Sequence, residues 1–160
     1  MPVHGPLSHI DLSVGDPARS IPFYEAFFTA LGYRRQGADL PDFEGASPTR
    51  AAWFVRYASG AYFGIEVRPA APASRGRAHD RYAPGLHHLA FHAESRAHVD
   101  RVHEAMKAAG ATILDAPADY GGAAYSPGYY AVFVADPDGV KLEVVHEPRT
   151  NPDDTQPDRR

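Results

Sequence analysis

Four side chains of metal-binding types stand at equivalent positions in the two halves of this chain. His9 lies in an apolar stretch near the start of the first half, and Glu66 lies in the last apolar stretch of that half. His88 and Glu143 occupy the same places in the second half. Imidazole and carboxylate ligands suit a divalent first-row metal, with Zn, Ni, Co, Mn and Fe(II) as candidates. Such a metal polarises substrate oxygens and lowers the pKa of a bound water.

Strand alternation predicts that these four side chains share one kind of surface. Around each of them, apolar and polar residues alternate with period two, which is typical of a strand buried on one side. We therefore expect the apolar side chains to cover a helix, and the His and Glu side chains to lie on the opposite face. That face is free to curve around a ligand. A carboxylate that reaches both metal and substrate could serve as a general base.

The strands belong to a repeated order of elements. The residue pattern of each half predicts a strand, a helix that ends at a glycine, and then three further strands. We expect an α+β fold in one domain over 1–147, with the first module at 5–68 and the second at 86–147. The segment 69–85, rich in Ala, Pro and Arg, is predicted to link the modules. The polar tail over 148–160 is predicted to be disordered.

Composition argues against several classes of function. The formal net charge is -4, which disfavours a nucleic-acid partner, and the chain has no cysteine for a thiolate nucleophile, a thiolate zinc site or a disulfide. No apolar run is long enough to cross a bilayer, and the N-terminus lacks the features of a signal peptide. We expect a cytoplasmic protein that acts on a small molecule, without a nucleic-acid or membrane partner.

A loop rich in Gly and Tyr is predicted over 115–128, beside the site residues of the second half. It contains Tyr120 and Tyr125. Two interpretations remain open for these rings. They could form a pocket wall or a flexible lid, or they could simply pack on the sheet as part of a surface loop.

These stretches resemble the vicinal oxygen chelate superfamily, which includes glyoxalase I, bleomycin-resistance proteins and extradiol dioxygenases. The matching motifs are LSHIDLSVGDPARSIPFY with His9, FGIEV with Glu66, GLHHLAFHA with His88, and YYAVFVADPDGVKLEVVHEP with Glu143. The resemblance implies a pair of βαβββ modules that form a cupped mixed sheet over a divalent metal, with helices on the outer face, in a homodimer. It also implies a substrate that chelates the metal through two adjacent oxygens.

The set of two His and two Glu looks like that of glyoxalase I, a lyase that isomerises the glutathione hemithioacetal of methylglyoxal. The resemblance implies that a metal-bound carboxylate moves the proton, with Glu143 as the first candidate and Glu66 as the second. Two departures concern glutathione, because Ser13 replaces an Arg of glyoxalase I and no Asn closely follows Glu66. Unless Arg68 or Arg56 substitutes, glutathione is not the expected substrate.

Two alternatives follow from the same resemblance. In an extradiol dioxygenase, the two repeated histidines and Glu143 would hold Fe(II). His92 would then act as acid and base, and Tyr130 or Tyr125 would orient an oxyanion. In a protein similar to those of bleomycin resistance, the cup would bind a small molecule without catalysis. The repeat leaves open whether the metal would lie within one chain or between two chains.

Overall fold

Each half of the chain folds into a four-stranded sheet with one helix, so the predicted α+β fold of two βαβββ modules is confirmed. The computed structural model describes residues 7–37, 47–57, 60–122 and 125–148. The first sheet contains β1 to β4 and the second contains β5 to β8. In chain order the elements are β1 (His9–Val14), α1 (Pro17–Ala30), β2 (Arg34–Arg35), β3 (Ala51–Arg56), β4 (Tyr62–Pro69), β5 (His88–His92), α2 (Arg96–Ala108), β6 (Thr112–Asp119), β7 (Tyr130–Ala135) and β8 (Lys141–His146).

The two sheets have the same strand order and the same register at the repeated residues. Their orders are β1-β4-β3-β2 and β5-β8-β7-β6, in which β1 with β4 and β5 with β8 are parallel. His9 lies opposite the residue two positions before Glu66, and His88 lies opposite the residue two positions before Glu143. Each histidine is therefore a diagonal neighbour of its glutamate on one face of the sheet.

The ends of the helices follow from local sequence signals. Asp16 caps α1 by accepting a hydrogen bond from the Ala18 N–H at 3.0 Å, and Ser95 caps α2 through its side-chain oxygen. Gly32 and Gly110 follow the two helices with φ of 86° and 71°, the left-handed conformation that ends a helix. Each helix therefore begins and ends at a defined residue, between the first and second strands of its module.

The helix sides of both sheets share one core. α1 and α2 pack against each other, and buried side chains from both modules form one cluster. Phe91 of β5 contacts Phe27 and Phe28 of α1 edge to face, with ring centroids 5.4 and 5.7 Å apart. Nε2 of His98 on α2 donates a hydrogen bond to the Ala30 carbonyl at 3.0 Å. The helix-free face of each sheet, hereafter its open face, lies outside this core.

β6 is longer than the sequence predicts. The sequence predicts a loop from residue 115, whereas the strand continues to Asp119. β6 is the outermost strand of its sheet, and its pairing with β7 shifts register on both sides of Asp115. An edge strand with such irregular pairing accommodates Pro117, which has no N–H to donate.

The predicted disordered tail lies outside the described residues apart from Pro148. Over the ranges given above, no helix is long and apolar enough to cross a membrane.

Candidate functional site

In the second module, His88 and Glu143 meet on the open face. Nε2 of His88 lies 3.2 Å from Oε2 of Glu143. Glu143 is only 3% exposed, although it carries a carboxylate. Its strand, β8, lies between β5 and β7, so neighbouring strands flank this carboxylate on both sides. A buried carboxylate needs polar partners, and His88 supplies one of them.

Tyr129 supplies the second polar contact of Glu143. Its hydroxyl donates a hydrogen bond to Oε1 of Glu143, so each carboxylate oxygen has a partner. Burial, followed by this hydrogen bond and the charge of Glu143, raises the pKa of Tyr129. The phenol therefore stays protonated at neutral pH and remains a hydrogen-bond donor.

Tyr130, a predicted catalytic residue, lies on the other side of the sheet. Its ring packs against the helix-side core, and its hydroxyl donates to Oδ1 of Asp100 on α2 at 2.8 Å. The Arg96 guanidinium lies 5.0 Å from the centroid of the same ring. The physical reason is strand alternation, since neighbouring side chains on a strand point to opposite faces. Tyr130 faces the helices, so Tyr129 faces away from them. The placement corrects the expectation for Tyr130, and Tyr129 takes the position beside Glu143.

An aromatic cluster lies beside the Glu143 carboxylate, formed by Tyr120, Tyr125, Tyr129 and Phe133. The ring centroids of Tyr125 and Tyr129 are 4.7 Å apart, and those of Tyr120 and Phe133 are 5.5 Å apart. Tyr120 and Tyr129 pack on a small buried cluster that is separate from the main core. Tyr120 thus packs on the sheet, whereas Tyr125 is half exposed and contacts the rings of Tyr120 and Tyr129, so the rings form a wall beside the carboxylate.

His87 holds the ring of His88. The Nδ1 atoms of the two histidines are 2.7 Å apart, so one ring donates a hydrogen bond to the other. Desolvation, followed by the neighbouring His88, lowers the pKa of His87. Strand alternation, applied to the sequence, would place His87 on the helix side. Because β5 begins at His88, His87 lies outside the strand and alternation does not determine its direction. Among the predicted site residues, His92 ends β5 with an exposed side chain.

In the first module, the equivalent contact between histidine and glutamate does not form. His9 is exposed, and its Nδ1 lies 3.3 Å from the Ser8 hydroxyl oxygen. Glu66 pairs with two arginines instead. Its Oε1 accepts a hydrogen bond from Nε of Arg50 at 2.8 Å and lies 3.3 Å from Nη2 of Arg68. The same backbone register therefore holds the two glutamates in different electrostatic surroundings.

The four predicted metal ligands do not come together within one chain. Nowhere in the described ranges do three His, Asp or Glu side chains lie close enough to hold a metal ion. His88 and Glu143 fit as two ligands, since they offer imidazole and carboxylate donors at short range in a partly buried place. The exposed ring of His9 is accessible to ligands of another chain, whereas the arginines already occupy Glu66.

Comparison with known proteins confirms the resemblance to the vicinal oxygen chelate superfamily. Residues 7–144 match the Glyoxalase/Bleomycin resistance protein/Dioxygenase superfamily. The uncharacterized protein YqjT of Bacillus subtilis (strain 168) is 32% identical over 141 residues, which cover 87% of this chain and 97% of that protein.

Solved structures share the fold over most of this chain. A provisionally named glyoxalase from Bacillus halodurans is 27% identical with a TM-score of 0.69, over 90% of this chain and 97% of that one. A glyoxalase/bleomycin resistance protein from Albidiferax ferrireducens T118 is 27% identical with a TM-score of 0.60, over 88% of this chain and 98% of that one. This chain belongs to the Glyoxalase/Bleomycin resistance protein/Dioxygenase superfamily.

Proposed function

We propose that this protein is a metal-dependent enzyme of glyoxalase type that acts on a small molecule with two adjacent oxygens, with Glu143 as the base. One observation carries the proposal. Glu143 is a buried carboxylate with His88 on one oxygen and Tyr129 on the other, beside an aromatic wall. Family membership and relatives named as glyoxalases support this class of enzyme. Isomerase or lyase chemistry needs a positioned base of this kind.

The ligand set that we propose for the metal comes from two chains. His88 and Glu143 of one chain would hold the ion together with His9 of a second copy. When bound, the ion would polarise the substrate oxygens and stabilise negative charge on them. β1 and β5 support this arrangement, because each is an edge strand, with a hydrogen-bonded neighbour on one side only among the described strands. Such edges suit pairing between chains, so we propose a homodimer.

The residues around Glu143 have separate roles in this scheme. Glu143 accepts the substrate proton, and the Tyr129 hydroxyl holds the carboxylate in one orientation. The aromatic cluster excludes water from the carboxylate, which strengthens its interactions with a bound substrate. His92, exposed at the end of β5, can exchange protons with solvent.

Fe(II)-dependent extradiol dioxygenation is the second candidate, and the contacts of Glu66 favour it. Because two arginines engage Glu66, the remaining ligands are two histidines and Glu143. This set corresponds to the 2-His-1-carboxylate group of non-haem Fe(II) oxygenases. In this scheme His92 would act as acid and base. A non-catalytic role in binding a small molecule is the third candidate.

Metal content and turnover separate these candidates. We expect about one divalent ion per chain in the purified protein, lost on chelation. After reloading, turnover of hemithioacetals without oxygen would support the isomerase, and oxygen uptake with catechols would support the dioxygenase. Ligand binding without any turnover would identify the third candidate. A protein that retains none of Zn, Ni, Co, Mn or Fe(II) would refute the proposal.

The Glu143→Gln variant tests the base directly. Its turnover should fall by about 100-fold or more, the usual contribution of general acid–base catalysis, even at a metal concentration high enough to fill the weakened site. Glu104→Gln, at an exposed position on α2, is the matched control. Unchanged turnover in Glu143→Gln would exclude this carboxylate as the base.

A further inference from the structure

The open face of the first sheet concentrates arginine side chains. Strand register and alternation assign five charged residues to this face, and the contact of Arg50 with Glu66 places a sixth there: Arg34, Arg56, Arg68, Asp11, Glu66 and Arg50. Among the described residues of this face, there are therefore four guanidinium groups and two carboxylates. The excess of positive charge is local, because the chain as a whole carries a formal net charge of -4. An excess of this kind favours the binding of an anion.

Two of these arginines form a network around Glu66. Both Nε and Nη2 of Arg50 donate to Oε1 of Glu66, at 2.8 and 2.5 Å. Nη2 of Arg68 lies 2.7 Å from Oδ2 of Asp11 and 3.3 Å from the same Glu66 oxygen. Each guanidinium has five N–H donors, so these contacts leave donor capacity unused.

Arg68 has a donor without an acceptor. Its Nε is buried, and within the described part of the chain it has no hydrogen-bond partner. A buried donor of this kind calls for an explanation, such as an acceptor that arrives with another molecule. The side chain as a whole remains 40% exposed, so a ligand at the open face can approach the guanidinium group.

The same network disfavours Glu66 as a metal ligand. Two positive guanidinium groups lie within 3.3 Å of Oε1, and they repel a divalent cation at this position. Over the described ranges, no arginine or lysine pairs with the oxygens of Glu143, which contact a histidine and a tyrosine. The equivalent carboxylates of the two modules therefore have different roles.

We propose that Arg50 and Arg68 form a subsite for a carboxylate group of the substrate, and that Glu66 and Asp11 hold their guanidinium groups in place. The inference rests on the proposed function in one respect, namely that the substrate binds at the open face. Asp11 stands two residues from His9 on that face, about 7 Å along the strand. The substrate would therefore carry its carboxylate on the Asp11 side of the oxygens beside His9.

A carboxylate fits this subsite better than a phosphate. Arginine matches the planar geometry of a carboxylate through paired N–H donors. Asp11 and Glu66 are themselves carboxylates that these guanidinium groups accommodate, at 2.7 and 2.5 Å. They also repel a dianion more strongly than a monoanion.

Arginine side-chain NMR tests the subsite without any need for turnover. The full-length protein as purified, labelled with 15N, is titrated with benzoate and with benzamide, a neutral probe of similar shape. We expect benzoate to shift the Nε–H resonances of Arg50 and Arg68 in a saturable way, and benzamide to shift neither. Arg68→Gln and Arg50→Gln should each weaken benzoate binding by about tenfold, since each removes a charged donor. Arg101→Gln, at an exposed position on α2, is the control.

The Glu66→Gln variant gives opposite results for the two possible roles of Glu66. If Glu66 anchors the arginines, losing its charge should tighten benzoate binding. The affinity for Co²⁺ should stay within about threefold of the original, because Glu66 is then not a metal ligand. If Glu66 were a metal ligand, Co²⁺ affinity would fall by about tenfold or more, which would overturn the inference. Equal shifts with benzamide, or benzoate binding that Arg68→Gln and Arg50→Gln both leave intact, would also overturn it.

Two further results separate this inference from the proposed function. Benzoate binding in a protein that binds no metal would remove the proposed function alone. Metal binding through His88 and Glu143 without benzoate binding would remove the subsite alone. Inorganic phosphate that binds the same arginines more tightly than benzoate would replace the carboxylate assignment with a phosphate one.

Discussion

The hydrogen bond from Tyr129 to Glu143 predicts a measurable loss of stability when it is removed. Tyr129→Phe keeps the ring and its contact with Tyr125, at 4.7 Å between centroids, and deletes only the hydroxyl. It leaves one oxygen of a carboxylate that is 3% exposed without its donor. Leaving a buried acceptor unpaired costs about 1–3 kcal/mol. We therefore expect the free energy of unfolding to fall by about 2 kcal/mol, or Tm by about 4–8 °C for a chain of this length.

Guanidinium chloride denaturation in the presence of a chelator measures this loss without any contribution from metal. Tyr125→Phe, at a residue that is 49% exposed, is the control and should stay within about 0.5 kcal/mol of the original protein. Combining Tyr129→Phe with Glu143→Leu removes both partners of the hydrogen bond. The two changes should then be non-additive by about 1 kcal/mol or more. A change below about 0.3 kcal/mol in Tyr129→Phe, or simple additivity, would refute a role for this contact.

Three other predictions follow from the site and its surroundings. His87→Ala should weaken metal affinity about tenfold in calorimetric titration, because it removes the hydrogen bond that orients His88, and unchanged affinity would contradict that role. Mixed dimers of His9→Ala and Glu143→Gln should regain about a quarter of the intact metal sites after random exchange, whereas a site within one chain would regain none. Burial, only partly opposed by hydrogen bonds from Tyr24, Val140 and Asp138, raises the pKa of Asp136 above its ordinary 3.8. The folded state therefore binds the proton more tightly than the unfolded state does. As pH falls through the raised pKa towards 3.8, the free energy of unfolding of the original protein should rise relative to that of Asp136→Asn. A difference that does not change with pH would contradict this prediction.

The fold and the faces of the site strands were predictable from sequence because they depend on period-two patterning. Alternation around His9 and Glu143 determines which side of a strand meets the helix, and the repeat determines which strands are equivalent. The register confirms this equivalence, with each histidine diagonal to its glutamate. Helix limits also followed from local residues, such as Gly32 at a position that requires positive φ.

The contacts of each site residue were not predictable in the same way. Alternation could have selected Tyr129 over Tyr130 only if the first residue of β7 had been known. The limits of a strand are the least certain feature of a sequence pattern. The pairing of Glu66 with Arg50 depends on the conformation of long side chains, which no local pattern fixes. Sequence symmetry therefore predicted equal roles for two glutamates that have different partners.

The contact of Phe91 with Phe27 and Phe28 makes the burial of each module depend on the other. A half-length chain that ended after β4 would expose these rings of α1 to water, although burying one such ring favours folding by about 1.5–3 kcal/mol. A half-length ancestor of this repeat would have needed to bury the rings against a second copy of itself. Fusion of two copies would replace that association, which depends on protein concentration, with the folding of one chain. Each half could then change the partners of its own carboxylate independently.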